Sequence, residues 1–291
     1  MRNIVTGGAG FIGSHLIDCL IQEGQDVICI DNFSSGLEKN IDHWIDNSKF
    51  QLINHDIVHP IELEADRIWH LACPASISEY QQDPIKTSKI NFLGTLNMLE
   101  LSRKLGAKFL LASTSEVYGD PEEHPQRESY RGSVNTTGIR SCYDEGKRIS
   151  ETLCSDYNRI HDLDVRIIRI FNTYGPRMQP DDGRVVSNFI FQALRGEPLT
   201  IYGEGSQTRS FCYVDDLIDG MIKLMSSDIR EPINIGNPSQ ITILELAEII
   251  RKRINPNIKF IFKPLPEDDP LQRKPDIEKA SKELKWFPNT S

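Results

Sequence analysis

The sequence predicts an α/β fold, in which a doubly wound parallel sheet is accompanied by a smaller C-terminal lobe. From residue 3 to about 170, short β-rich apolar runs alternate with longer stretches of helical spacing, which is typical of successive β-α-β units. Beyond this part the rhythm changes to a long polar stretch punctuated by Gly and Pro. We therefore expect a first domain at 1–171, with a return segment at 211–236, and a lobe at 172–291.

The individual elements follow from the spacing of apolar residues. Short runs rich in β-branched and aromatic residues predict strands at 3–6, 26–31, 50–54, 67–71, 108–112 and 165–170. Apolar residues three and four positions apart predict helices at 11–23, 84–105 and 141–162, and beyond residue 171 at 184–195, 214–227, 242–254 and 276–284.

Composition excludes several classes of function. The net charge is -9 and the basic residues are scattered, which argues against a nucleic-acid or anionic-membrane surface. The N-terminal residues lack the pattern of a secretory signal, and no apolar run approaches membrane-spanning length, so we expect a cytoplasmic protein. The six cysteines and seven histidines have no metal-ligand spacing. We expect no metal, no disulfide and small buried thiols.

A glycine-rich motif, TGGAGFIG at 6–13, directly follows the first predicted strand and opens the first predicted helix. Gly7, Gly10 and Gly13 allow a tight turn, close approach of the backbone to a diphosphate and close packing of helix on strand. A glycine-rich turn that binds nothing is the plain alternative. Asp31 argues against it, because a carboxylate at the end of the second strand can accept both ribose hydroxyls and repel a 2′-phosphate. The sequence thus predicts a Rossmann-type site that binds NAD rather than NADP.

A second group of residues has the character of an acid–base site. Tyr143 and Lys147 lie four positions apart in a predicted helix, so their side chains share a face, and a nearby ammonium stabilises a phenolate. Alone, this pair would be an ordinary solvent-facing pair. Thr114 and Ser115 follow the predicted strand 108–112, where sites assemble in open α/β sheets, and their hydroxyls can bind a substrate alcohol.

The motif TGGAGFIGSHL, the Ser/Thr–Tyr–Lys set and the chain length resemble those of the extended short-chain dehydrogenase/reductase superfamily. Within it, several stretches resemble the UDP-glucuronate decarboxylases, namely ASTSEVYGDPEEHPQ (112–126), RSCYDEGKR (140–148), RIFNTYGPRM (169–178), DDGRVVSNFI (181–190) and GSQTRSFCYVDD (205–216). The resemblance covers nearly the whole chain. Ser115 occupies the position of an Asp in 4,6-dehydratases, which disfavours water elimination, and Glu116 stands where epimerases of the group usually lack a carboxylate.

The resemblance implies a reaction and a set of residues that perform it. Tyr143, aided by Thr114 and Lys147, would remove the proton of the C4 hydroxyl of UDP-glucuronate during hydride transfer to NAD, after which the C6 carboxylate leaves as CO2. Protonation at C5 and return of the hydride would give UDP-xylose, with NAD bound throughout. The catalytic set is completed by Ser115, Glu116 and Arg209. The last two are expected to assist proton transfer, sugar positioning or binding of the carboxylate.

The resemblance also implies binding residues and an assembly. The cofactor would be bound by Gly7, Gly10, Phe11, Ile12, Gly13, Asp31, Asn32, Asp56, Ile57, Leu71, Thr87, Tyr143, Lys147 and Thr173. The UDP-sugar would be bound by Tyr80, Lys86, Asn172, Arg177, Asn188, Arg209 and Arg273. A homodimer is expected to form through the helices 84–105 and 141–162.

Two alternatives remain open at this point. A UDP-sugar 4-epimerase, such as a UDP-glucuronate 4-epimerase, would share the cofactor residues and leave carbon 6 untouched. A non-catalytic NAD sensor typically lacks the Tyr–Lys pair. The segment CPASISEYQQDP (73–84) departs from the usual family form but retains Tyr80, and the ending KWFPNTS leads us to expect a shortened C-terminus.

Overall fold

The computed structural model describes residues 1–180, 183–265 and 272–290. The first two residues of the quoted segment 181–190 therefore lie outside the described residues. The strands are β1 (Arg2–Thr6), β2 (Asp26–Asp31), β3 (Phe50–Asn54), β4 (Arg67–His70), β5 (Lys108–Thr114), β6 (Val165–Ile170), β7 (Thr173–Tyr174), β8 (Leu199–Tyr202), β9 (Thr208–Ser210), β10 (Cys212–Tyr213), β11 (Ile233–Ile235), β12 (Gln240–Thr242), β13 (Phe260–Lys263) and β14 (Gln272–Arg273). The α-helices are α1 (Phe11–Gln22), α2 (Ile77–Gln82), α3 (Pro84–Lys89), α4 (Thr95–Leu105), α5 (Ser141–His161), α6 (Val185–Arg195), α7 (Val214–Ser226), α8 (Ile243–Ile254) and α9 (Glu278–Glu283).

The main sheet has seven parallel strands in the order β11-β6-β5-β4-β1-β2-β3. The strand order reverses at β1, which pairs with β2 on one side and β4 on the other. A ligand crevice is expected at the carboxyl ends of the strands at such a switch point. The predicted doubly wound α/β fold is confirmed. Smaller sheets, β12-β9-β14 and β13-β8, lie in the later part of the chain.

Helices cover both faces of this sheet, which explains why its strands are almost continuously apolar. On one face, Leu16 of α1 and Leu217 of α7 belong to a buried cluster that includes Trp69. On the other face, Met98 of α4 and Cys154 of α5 belong to a second buried cluster. The central strands are therefore buried on both sides, and the carboxyl edge of the sheet is the place left for a site.

The predicted single helix at 84–105 is wrong in detail. A π-helical turn, Ile90–Gly94, separates α3 from α4. Apolar spacing cannot reveal such a turn, because three- and four-residue repeats continue through it. A further helix, α2, was not predicted; the Ser76 side chain caps it and Asp83 caps the α3 that follows.

The C-terminal residues fold back against α7. Trp286 is fully buried and donates its indole N–H to the carbonyl of Asp216 at 2.9 Å. The Asp216 carboxylate in turn accepts the backbone amides of Asn289 (3.0 Å) and Thr290 (2.9 Å). These contacts anchor the end of the described chain to α7, which packs on the main sheet.

Replacing this anchor should destabilise the whole fold. We expect Trp286→Ala to lower the free energy of unfolding by about 3–5 kcal/mol, the usual cost of removing a buried large aromatic side chain. The neighbouring Phe287 is exposed, so Phe287→Ala should change it by less than about 0.5 kcal/mol. Urea denaturation followed by circular dichroism measures both, and equal effects of the two substitutions would contradict the anchoring role.

Candidate active site

A deep cavity lies at the carboxyl edge of the sheet, at the β1 switch point. It is lined by most residues that the sequence singled out, namely Gly7, Gly10, Phe11, Ile12, Gly13, Asp31, Asn32, Asp56, Ile57, Leu71, Tyr80, Thr114, Ser115, Glu116, Tyr143, Lys147, Asn172, Thr173, Arg177, Arg209 and Arg273. Residues far apart in the chain thus meet in one site.

Three predicted binding residues do not line this cavity. Lys86 is exposed on α3. Thr87 is buried, and its hydroxyl donates to the backbone carbonyl of Asp83 at 3.1 Å. Asn188 is half-buried on α6. The structure does not bring these three side chains to the site.

The glycine turn leaves its backbone open to an anion. Gly7 has a φ of +70°, and a Cβ at Gly13 would lie 2.2 Å from the Gly7 carbonyl oxygen, so a larger residue fits at neither position. The helix α1 begins at Phe11 without a side-chain cap and without an acidic residue in its first turn. Its first amides therefore face the cavity unneutralised, which suits a diphosphate.

Asp31 lies at the end of β2, beside this turn. Its carboxylate accepts the backbone amides of Ala9 and Phe33, both at 2.9 Å. Burial raises the pKa of Asp31, while these amide hydrogen bonds oppose the increase. The Asp31 carboxylate is thus held by backbone donors where it can accept ribose hydroxyls. The glycine turn, one strand away, can bind a diphosphate, so the two together match a dinucleotide. The residues present therefore fit the predicted cofactor.

Tyr143 lies at the start of α5 and is buried in the cavity wall. Its ring stacks on that of Tyr80, with centroids 5.1 Å apart and planes 8° apart. Burial raises the pKa of Tyr143, and a hydrogen bond with Thr114 opposes this increase. Lys147 Nζ lies 5.9 Å from the Tyr143 ring centroid and donates to the carbonyl of Ala112 at 3.0 Å. Without a further positive charge, the phenol is neutral at pH 7.

Glu116 follows β5 and is enclosed by guanidinium groups. Its Oε2 accepts from Arg140 Nη2 at 2.5 Å and from Arg273 Nη2 at 3.2 Å. Burial of this carboxyl would raise its pKa, but the charges of Arg273, Arg140 and Arg209 outweigh burial, so its pKa lies below the usual value. Glu116 is therefore ionised at neutral pH. The cluster still carries excess positive charge, which favours an anionic ligand.

Sequence reasoning missed Arg140. It lies in the quoted segment RSCYDEGKR, three residues before Tyr143, and it lines the cavity. Its position one helical turn before Tyr143 could have predicted that it belongs to the same site. Cys73 was also missed as a lining residue. All six cysteines are free, but Cys19, Cys73 and Cys142 are half-buried rather than buried.

The described residues contain no group of three or more His, Cys, Asp or Glu side chains arranged to hold a metal ion. Among the same residues, no helix is long and apolar enough to cross a membrane.

Comparisons with known proteins agree with this geometry. Residues 3–236 match the model of the NAD dependent epimerase/dehydratase family. The chain is 58% identical over its full length to UDP-glucuronic acid decarboxylase 1 of Arabidopsis thaliana and spans 67%, about two thirds, of that relative. It is 57% identical over 99% of its length to UDP-glucuronic acid decarboxylase 3 of the same plant, covering 84% of it. A solved UDP-glucuronic acid 4-epimerase from Bacillus cereus, in complex with UDP-glucuronic acid and NAD, has a TM-score of 0.90 and 32% identity, with 100% of this chain and 95% of that one covered.

The charge cluster should make stability depend on pH through Glu116. We expect Glu116→Gln to lower the free energy of unfolding by about 3 kcal/mol at pH 7, because it leaves buried guanidinium groups without their counterion. A carboxyl with a lowered pKa in the folded state stabilises the fold above its unfolded pKa of about 4.3 and loses this contribution as the pH falls through the folded value. The difference between the two proteins should therefore shrink below about pH 4.

Urea denaturation between pH 7 and about pH 3 measures this dependence. Glu145→Gln is the matched control, because Glu145 is a partly exposed residue of the same region and pairs with Arg148 at 3.5 Å. Its effect should stay below about 1 kcal/mol. A difference between wild type and Glu116→Gln that stayed constant down to about pH 3 would show that folding does not lower the pKa of Glu116.

Proposed function

Since the chain belongs to the NAD dependent epimerase/dehydratase family, we propose that it is a UDP-glucuronate decarboxylase, which converts UDP-glucuronate into UDP-xylose and CO2. The observation that carries this function is the ionised Glu116, held by arginines at the end of β5 beside Tyr143 and Thr114. This arrangement places charged groups where a sugar carboxylate can be bound next to an acid–base tyrosine.

NAD is the cofactor; the glycine turn and Asp31 would hold it, and when bound it would supply the acceptor for the hydride of C4 and its later donor. The phenolic oxygen of Tyr143 takes the proton of the C4 hydroxyl. Thr114 lines the cavity with Tyr143, and its hydroxyl can share that proton and hold the substrate hydroxyl in line. Stacking on Tyr80 fixes the plane of the Tyr143 ring. The ammonium of Lys147 adds positive charge beneath the ring and stabilises the phenolate.

Oxidation at C4 makes the sugar a β-keto acid. The C5–C6 bond then breaks, its electron pair moves to the C4 carbonyl oxygen as an enolate, and C6 leaves as CO2. C5 then takes a proton from water, which restores the C4 ketone, and Tyr143 gives its proton back to the C4 oxygen as the hydride returns to C4. Positive charge from Arg209 and Arg273 stabilises the carboxylate before the bond breaks and the enolate afterwards. Glu116 is ionised, so it orients these guanidinium groups and accepts hydrogen bonds rather than supplying a proton from its ground state.

A UDP-glucuronate 4-epimerase is the competing function, since the solved epimerase from Bacillus cereus shares the fold. Two observations favour the decarboxylase. The identity to decarboxylases is 57–58%, against 32% to that epimerase. An epimerase also has no need of chemistry at carbon 6, whereas the carboxylate of Glu116 and its arginines add charge at that side of the site.

Incubation with UDP-glucuronate labelled at carbon 6 tests the function directly. We expect release of labelled CO2 together with UDP-xylose, and a fall in rate of about 10²- to 10⁴-fold in Tyr143→Phe, the usual contribution of a general base. Tyr202→Phe is the control, because Tyr202 is exposed on β8 and does not line the cavity. Formation of UDP-galacturonate without CO2 would establish the epimerase instead.

We also propose a homodimer that forms through α3, the π-helical turn and α5. Ile85, Phe92 and Leu93 on the first two elements and Ile149 on α5 are exposed apolar side chains, which supports an apolar interface on this face.

Light scattering at micromolar concentration should give the mass of a dimer for the wild type and of a monomer for Phe92→Glu, because a carboxylate cannot be buried unpaired in an apolar interface. Phe287→Glu, at another exposed phenylalanine, should remain a dimer. A wild-type protein that ran as a monomer would contradict the proposal.

A cytoplasmic location is the remaining part of the proposal. It is supported by the six free cysteines, since paired cysteines are typical of oxidising compartments. Cell fractionation tests it, and recovery of the protein in a secreted or membrane fraction would contradict it.

A further inference from the structure

The segment that follows β7 crosses from the lobe onto the predicted cofactor half of the cavity. Gly175 packs against Phe11, since a Cβ there would lie 3.4 Å from the Phe11 ring. The next carbonyl, that of Pro176, is 3.1 Å from His15 Nε2 on α1. Gln179 Nε2 then donates to the carbonyl of Ser35 at 2.5 Å, just beyond Asp31. Residues 175–179 therefore lie against both elements that form the dinucleotide site.

Arg177, in the middle of this segment, is held in an unusual way. Its φ is +67°, a backbone conformation that residues other than glycine rarely adopt and that often marks a functional site. This backbone directs the side chain to α1, where Nη2 pairs with Asp18 Oδ2 at 2.7 Å. The other terminal nitrogen, Nη1, is buried and has no hydrogen-bond partner among the described residues, although the residue lines the cavity.

Asp18 holds the guanidinium in one orientation. Its other oxygen accepts from Trp44 Nε1 at 2.7 Å and contacts His43 Nε2 at 2.9 Å, so the carboxylate is itself fixed by two further side chains. A guanidinium is planar and presents its donors in a rigid fork, so fixing Nη2 also fixes the direction of the Nη1 donors. A buried donor without a partner is costly, and a ligand acceptor in the cavity would remove that cost.

The other arginines of the cavity fall into two groups. Arg184 lies on the same side as Arg177, with its guanidinium 6.0 Å from the Phe11 ring centroid at the start of α1. Arg140 and Arg273 contact Glu116, near Tyr143, where the sugar reacts. Arg177 instead contacts α1, whose first turn forms the anion site of the dinucleotide. The resemblance had assigned Arg177 to the UDP-sugar. Its contacts with α1 argue for a different ligand.

We propose that Arg177 binds the adenosine diphosphate half of NAD, and that it does not bind UDP. This inference rests on the cofactor in the proposed function and deepens it. The unpartnered Nη1 donates to an oxygen of that half, and the same contact fastens segment 175–179 over the dinucleotide. The lobe thereby retains the cofactor during a reaction that consumes no net NAD.

Exchange of the cofactor tests this proposal in the holoenzyme. The protein is incubated with isotopically labelled NAD, and loss of the unlabelled cofactor is followed by mass spectrometry. Arg177→Met should exchange NAD about tenfold to a hundredfold faster than the wild type, the effect of losing one charge-assisted hydrogen bond. Binding of UDP to the same holoenzyme, measured by calorimetry, should change less than about threefold. Arg177→Lys, which keeps the charge but not the fork, should exchange at an intermediate rate.

Arg103→Met is the matched control, because Arg103 is an exposed arginine on α4 that pairs with Glu100 at 2.8 Å and does not line the cavity. This substitution should leave the rate of NAD exchange and the affinity for UDP unchanged. Weaker UDP binding with unchanged exchange would overturn the proposal, as would a change in both quantities or in neither. None of these readouts requires turnover, so failure of the decarboxylase function in the wild type is recognised separately.

Discussion

Burial of one ionised carboxylate, that of Glu116, constrains much of this structure. A charge removed from water must be paired, and leaving it unpaired would cost several kcal/mol. Its partners come from distant parts of the chain, because Arg140 directly precedes α5 while Arg273 belongs to β14 of the lobe. The lobe must dock on the sheet, and α5 must start at a fixed place, for this charge to be satisfied. Since α5 also carries Tyr143, the same interaction aligns the acid–base residue with the charged pocket.

Buried hydrogen bonds hold the partners of Glu116 in place. Gln126 is fully buried; its backbone amide donates to the carbonyl of Lys274 at 2.9 Å, and its side-chain oxygen accepts the amide of Lys274 at 2.9 Å. These two hydrogen bonds fix the backbone next to Arg273. Behind the end of β5, Glu151 pairs with Arg169 at 2.7 Å and accepts from Ser113 at 2.6 Å. The arginine cluster is thus supported from both sides and is preorganised without a ligand.

Local patterns predicted the parts of the fold that depend on consecutive residues. The glycine turn, the strand before it and Asp31 follow from short-range steric and hydrogen-bonding needs, so they could be read directly from the sequence. The direction in which a side chain points from a known helix or strand could not be read from the sequence. Lys86 and Asn188 lie on predicted helices but do not line the cavity, and Arg140 was overlooked although its segment was quoted. Each of these outcomes depends on how helices pack, which a single sequence does not specify.

A chain of buried hydroxyls shows how the cofactor half and the catalytic helix are joined. Thr6 Oγ1 accepts two backbone amides, those of Leu71 (3.1 Å) and Ala72 (3.2 Å), so its one proton must go to His70 Nδ1 at 3.0 Å. His70 is therefore protonated on Nε2, which lies 3.2 Å from Thr95 Oγ1.

Burial, together with the charge of Lys147, lowers the pKa of His70 to about 3, so the ring is neutral, as this donor order requires. Thr95 then donates to Ser150 on α5 at 3.1 Å. The hydrogen bonds run in one direction from the strand before the glycine turn to the helix that carries Tyr143 and Lys147. A histidine that took up a second proton would break this order at Thr6, so the apolar surroundings that keep His70 neutral also keep the two halves of the site in register.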